Sequence, residues 1–239
     1  MSVRPDPRSP WGARIWIPDS DFDVRMDAVR ESVPGTLFQP GIGVDVDLIL
    51  MRAYGVDPDF TDDLPSDCLG RTSFLRDGRY RVEISRSLAD EAVHSPVSRR
   101  RMRSTLAHEC AHIVFHSVLH PVAAGPALFE EFDHRDSTVM CREPYVGASG
   151  IAWWEVQANR GMACLLMPRP TVREQVSSWL KQRGLTSVSD ALREERAEAL
   201  VRDMANVFDV NVPVVVYRLQ ELGMIPTGAD QHEFAFDER

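Results

Sequence analysis

The chain has 239 residues, 44% hydrophobic and 26% charged, with a formal net charge of -9. That length can bury a proper core in one large domain or two modest ones, and the acidic balance argues against a role built on non-specific nucleic-acid binding. The apolar runs, such as Val212 to Tyr217, are too short to cross a bilayer, the N-terminus has no signal-peptide core, and Cys68, Cys110, Cys141 and Cys164 show no paired spacing; a reduced, cytoplasmic protein with no membrane partner is expected.

Residues 1–20 are rich in Pro, Arg and Ser and read as a flexible arm. Asp19 to Val33 has the pattern of a first amphipathic helix, broken by "PGTLFQPG". Asp45 to Gly55 reads as a second helix: Val46, Ile49, Leu50 and Ala53 share a face, and Gly55 is placed to stop it. Thr72 to Ser85 carries strand-type segments on either side of Asp77-Gly78, a short hairpin signal. Ser95-Pro96 supplies an N-cap and a proline for the first helical position, and the helix it opens can run to about Leu119, with Pro121 as a stop.

A long connection from about Val122 to Ile151 follows, of a length that is usually functional or partly structured. Ala152 to Met167 is helical up to Pro168, and three more helical patterns cover Thr171 to Gln182, Ser189 to Phe208 and Val212 to Leu222. The expected architecture is an α+β body of helices with a small β-sheet or hairpin over residues 21–170. A helical segment at 171–225 packs on it, and 226–239 form a tail.

The chemistry concentrates in Thr105 to His116, "TLAHECAHIVFH". Residues four apart lie on one helix face about 6 Å apart along the axis. His108 and His112 can therefore aim ring nitrogens at one Zn²⁺. Glu109, 100° round from His108, can reach the space beside the metal without binding it and act as general base. A surface helix with chance histidines is the competing reading, but Leu106, Ala107, Ala111, Ile113 and Val114 give the motif apolar neighbours. His116 would lie about 12 Å from His108 along the axis, too far to share an ion, so it is read as a packing or hydrogen-bonding residue. His120 is read as a cation at the helix C-terminus. The longer pattern with glycine and a third histidine fails at Phe115 and Val118.

A third ligand must come from elsewhere. Glu130, Glu131, Asp133, Asp136, Glu143 and Glu155 are the downstream carboxylates, and only Glu155 lies clearly in a helical pattern. Asn159, one turn on, could accept from the far N–H of a ligating histidine and fix its tautomer. Tyr145 could hydrogen-bond an oxyanion, or be an ordinary loop tyrosine. Cys110 reads as a buried thiol pointing away from the metal, with a redox switch as the alternative. Cys141, His134 and His116 could contribute to a second metal site. Arg99, Arg100, Arg101 and Arg103 read as a solvated helix face rather than a docking patch. The segment from Thr171 to Ile225 has an outline like a helix-turn-helix, yet eight acidic against seven basic side chains make direct nucleic-acid binding unexpected.

"TLAHECAH", followed downstream by "WWEVQANRGMACLLMP", resembles the ImmA/IrrE family of metallopeptidases. That family pairs a His-Glu-x-x-His helix with a second helix of the form Glu-x-[Glu/Gln]-Ala-Asn running into Leu-Leu-Met-Pro, here Glu155, Gln157, Ala158, Asn159 and Leu165 to Pro168. The likeness spans roughly Val44 to Ile225. It implies a zincin-like body, zinc held by His108, His112 and Glu155, and Glu109 as the catalytic base and acid. The protein substrate implied is a helix-turn-helix transcriptional repressor. Two departures stand out: Cys110-Ala111 replaces the usual Leu-Gly, and Gly161 enters the second helix, where it should weaken it by about 1 kcal/mol against alanine. The other expectation is a non-enzymatic regulator that contains zinc and binds a repressor or DNA.

Overall fold

The structure, a computed structural model, describes residues 2–120, 137–142, 152–193 and 196–226. It begins with a hairpin. Strands β1 (Ser2–Pro5) and β2 (Ala13–Trp16) pair antiparallel, with Val3 opposite Ile15. The expected loose arm is thus corrected. Ile15 is fully buried, and the indole N–H of Trp153 donates to Asp6 at 3.2 Å. The pairing was masked because β1 presents only exposed side chains, so its residues carry no alternation that a sequence reading could use.

Helices α1 (Asp19–Ser32) and α2 (Val46–Tyr54) follow. The α2 ends are set locally: the Asp45 side chain accepts from Leu48 N–H, and Gly55 takes the left-handed conformation at φ 65°. Strands β3 (Asp59–Thr61), β4 (Cys68–Phe74), β5 (Tyr80–Ser85) and β6 (Ser137–Arg142) form a four-stranded sheet in the order β3-β5-β4-β6. The β4–β5 pair is antiparallel around Asp77-Gly78, where Gly78 sits at φ 82°. The β3–β5 pair is parallel.

Helix α3 (Arg86–His94) leads into α4 (Pro96–His116), whose first turn is capped by the Ser95 hydroxyl accepting from Ser98 N–H at 3.2 Å. A 3-10 turn, Ser117–Leu119, ends it. His120, the expected helix-end residue, follows this turn with its ring buried: it stacks on Phe74 and donates through Nε2 to Leu75 O at 3.2 Å. Helix α5 (Trp153–Leu166) packs along α4, and α6 (Arg169–Gln182), α7 (Val188–Arg193), α8 (Ala197–Phe208) and α9 (Val212–Glu221) complete the described residues. The single pattern expected over Ser189 to Phe208 is therefore two helices.

One apolar cluster runs without a break from Ile15 through α1, α2, α4 and α5 to Leu219 and Ile225. Two arginine nodes fasten the C-terminal helices to the rest. Arg218, fully buried, donates through Nε to Met167 O at 2.9 Å, through Nη1 to Glu221 at 2.5 Å, and through Nη2 to Asp23 on α1. At the other node, the expected solvated arginine face on α4 is corrected. Arg100 Nε and Arg103 Nη1 reach the Asp209 carboxylate at 2.9 and 2.7 Å, Arg99 approaches it at 3.5 Å, and Arg103 Nη2 donates to Val44 O at 3.0 Å. Asp209 ends α8 in the left-handed region, φ 49°, a conformation that aspartate tolerates better than most residues. Its partners lie more than a hundred residues away in sequence, which no local pattern reveals.

Among the described residues, no helix is long and apolar enough to cross a membrane.

Candidate metal centre

Helix α4 lies between the sheet and α5, so its second half is enclosed on every side. Ser104 to Ile113, Phe115 and His116 are all buried. Three histidines in such a place need partners, because an unpaired buried imidazole nitrogen is costly.

Helix α5 supplies them. His108 Nε2 lies 3.0 Å from Glu155 Oε2 and 3.0 Å from His112 Nε2, and His112 Nε2 lies 3.5 Å from Glu155 Oε1. These three residues form a group whose ligand atoms lie within 4.8 Å of one another. Asn159, one turn beyond Glu155, accepts from His108 Nδ1 at 2.9 Å. The proton of a neutral His108 is therefore on Nδ1, and its Nε2 presents a lone pair to the carboxylate. Burial alone would raise the Glu155 carboxyl, but His112 and His108 override it and hold it well below the usual range. His112 moves the other way: burial lowers it, with Glu155 opposing in part. The Glu155 carboxylate thus lies at hydrogen-bond distance from His108 Nε2, and its Oε1 is buried with no hydrogen-bond donor.

Acceptors collected in this way call for a shared cation. A four-coordinate first-row ion with bonds of about 2.0–2.1 Å separates its ligands by about 3.3 Å, by tetrahedral geometry. The observed separations of 3.0, 3.0 and 3.5 Å bracket that value. Two imidazoles and a carboxylate also form a donor set suited to such ions. The residues fit a metal ion.

A second close group of possible ligands among the described residues, Asp23, Cys164 and Glu221, does not. The Arg218 guanidinium already contacts all three, with Nη1 to Cys164 Sγ at 3.1 Å. It is an ion-pair node.

Glu109 stays outside the ligand group. Its Oε2 accepts from the Thr72 hydroxyl on β4 at 2.5 Å, and its Oε1, also buried, has no donor. Burial pushes the carboxyl up to about 8, against the opposing pull of His108 and the Thr72 hydrogen bond; Glu155 adds to the rise. The carboxylate can lie this close to the sheet because β4 has glycine at position 70. A Cβ there would stand 2.6 Å from Glu109 Oε1 and 2.7 Å from Thr105 Cγ2. Thr72 and Gly70 were missed by sequence reasoning. The strand pattern was read only from Thr72, whereas β4 begins at Cys68, so the cue of a glycine inside a strand, which marks close approach, was out of reach. Gly161 is explained in the same way: its missing side chain admits Phe115, Ala111 and Met26.

Cys110 is a fully buried thiol whose burial pushes it up to about 12, so it is an unreactive core residue. Tyr145, and the carboxylates Glu130, Glu131, Asp133, Asp136 and Glu143, lie outside the described residues, as does His134 of the suggested second site.

No family model and no curated protein matches this chain.

Proposed function

We propose that the protein is a zinc-dependent endopeptidase with a zincin-like body of the ImmA/IrrE type. The observation that supports this most directly is the trio of His108 Nε2, His112 Nε2 and the Glu155 carboxylate facing one another, with Glu109, one of whose carboxylate oxygens has no donor, on the residue after His108. When bound, zinc supplies a Lewis acid that polarises a carbonyl and brings water towards ionisation at neutral pH.

The protein's own residues would do the rest. His108, His112 and Glu155 hold the ion, and Asn159 fixes the His108 ring through Nδ1. Glu109 takes a proton at Oε1, the atom without a donor, while Thr72 pins Oε2. Burial favours the protonated form of this carboxyl, the form needed to pass the proton on to the departing amine. The resemblance alone suggests the substrate, a protein and in particular a helix-turn-helix repressor.

The test is cleavage of a helix-turn-helix repressor by zinc-loaded protein, beginning with any that is encoded next to this gene. Glu109→Gln is expected to keep its zinc and lose cleavage. A Glu109→Gln protein that still cleaves would end the proposal. One that never cleaves as wild type, yet binds the repressor, would favour the non-enzymatic regulator.

A further inference from the structure

His116 cannot ligate the ion, yet it is fully buried and makes two side-chain hydrogen bonds. Their directions can be worked out from one fixed end. The backbone carbonyl of Ile15, in the N-terminal hairpin, can only accept. Gln157 Nε2 donates to it at 2.9 Å. That places the other amide atom, Oε1, against His116 Nε2 at 3.1 Å. An amide oxygen only accepts, so His116 carries its proton on Nε2. Its Nδ1 is then a lone pair, since a second proton would place a charge on a fully buried ring. Across from that lone pair, 2.9 Å away, is His112 Nδ1. It must be the donor. The remaining nitrogen of His112 is Nε2, the atom that faces His108 and Glu155.

We propose that His116 and Gln157 are positioning residues: anchored on the Ile15 carbonyl, they lock His112 with its proton on Nδ1 and so present Nε2 as a bare metal-binding lone pair. The inference rests on the zinc reading of the site for its purpose, but the chain of hydrogen bonds stands without it. His108 is fixed by Asn159, one turn along α5 from Glu155. His112 is fixed through two links by a strand from the N-terminus. Both ligands are thus oriented from α5, His108 directly by Asn159 and His112 by way of His116 and Gln157, with the N-terminal strand as the anchor.

Long-range ¹H–¹⁵N correlation of the histidine rings at pH 8 tests it directly, in metal-free and zinc-loaded wild-type protein. His116 is expected to be protonated on Nε2 and bare on Nδ1 in both. A proton on His116 Nδ1 would overturn the proposal. Zinc competition against a chelator gives the second arm. Loss of an outer partner of a ligating histidine typically weakens metal affinity about 10- to 100-fold, so His116→Phe and Gln157→Leu are each expected to weaken zinc binding within that range. Gln157→Leu should also let the His116 ring populate both tautomers. Unchanged affinity in both variants, with folding verified by circular dichroism, would refute the role. Wild-type protein that shows the expected His116 tautomer but does not bind zinc would support the hydrogen-bond chain and sink the zinc reading instead.

Discussion

The Thr72 hydroxyl on β4 donates to the Glu109 carboxylate on α4 at 2.5 Å. This bond joins the sheet to the helix that carries the candidate ligands, and it leaves one carboxylate oxygen committed and the other open. On the proposed reading, Thr72→Val should therefore keep metal binding and impair turnover. An about tenfold loss of kcat with little change in zinc affinity is expected, together with about 1–3 kcal/mol of destabilisation from the unpaired buried acceptor. Steady-state kinetics and a chelator titration on the same preparation check this.

Gly161 inverts the expectation from helix propensity. Alanine is intrinsically better in a helix by about 1 kcal/mol. At this position its Cβ would stand 2.5 Å from a Phe115 ring carbon and 2.7 Å from Ala111 Cβ and Met26 Cε. Overpacking of that kind costs typically about 1–3 kcal/mol, so the steric term wins. Gly161→Ala is expected to lower the melting temperature, as measured by calorimetry, because it pushes α5 away from α4.

Gly70→Ala should act on the glutamate as well as on stability. The added methyl would meet Glu109 Oε1 and Thr105 Cγ2 below normal contact distance. Glu109 must turn or the strand must shift. On the proposed reading, cleavage is expected to fall more than zinc binding does, since the nearest atoms met belong to Glu109 and Thr105. Equal loss of both would mean that the whole helix has moved.

Asp23 and Asp209 set the acid limb of stability. Burial would raise each carboxyl, but Arg218 and Arg169 on Asp23, and Arg100, Arg103 and Arg99 on Asp209, outweigh it and hold both below the usual range. A carboxyl depressed on folding contributes stability that is complete above its unfolded pKa, near 4, and is lost as pH falls through the folded value. The contribution of these two carboxylates to the urea midpoint of the metal-free chain, read as the difference from the Asp→Asn variants, is expected to hold from pH 7 to about 5 and to shrink below about 4. Asp209→Asn should start lower at pH 7 and fall less steeply, because that carboxyl no longer titrates.

The sequence carried the local chemistry of this fold and little of its long-range pairing. The Asp45 and Ser95 caps, the Gly55 stop and the Asp77-Gly78 turn depend on neighbours within a few residues, so their patterns could be read directly. The four-residue period of a helix placed His108 over His112 and Glu155 over Asn159, and the structure brings those four together. Partners distant in the chain left no such trace. Nothing near Arg103 points to Asp209, nothing near Glu109 points to Thr72, and Ile15 lies in a stretch whose prolines read as coil. The break between α7 and α8 was also hidden, because an apolar period can continue across it.

Arg218 has a wider consequence. Its guanidinium lies at the seam between α9, α1 and the end of α5, with no exposure to solvent. Cutting the chain after Met167 would strip Asp23 of its main counter-charge and lay bare the apolar surface that Val215 and Leu219 cover. Removing one partner of such a pair typically costs about 3–5 kcal/mol, a large part of a typical domain's whole stability. A minimal version made only of the histidine and glutamate helices should therefore collapse or precipitate on expression. The last helices are a keystone for the centre, and an excisable appendage is the wrong picture of them.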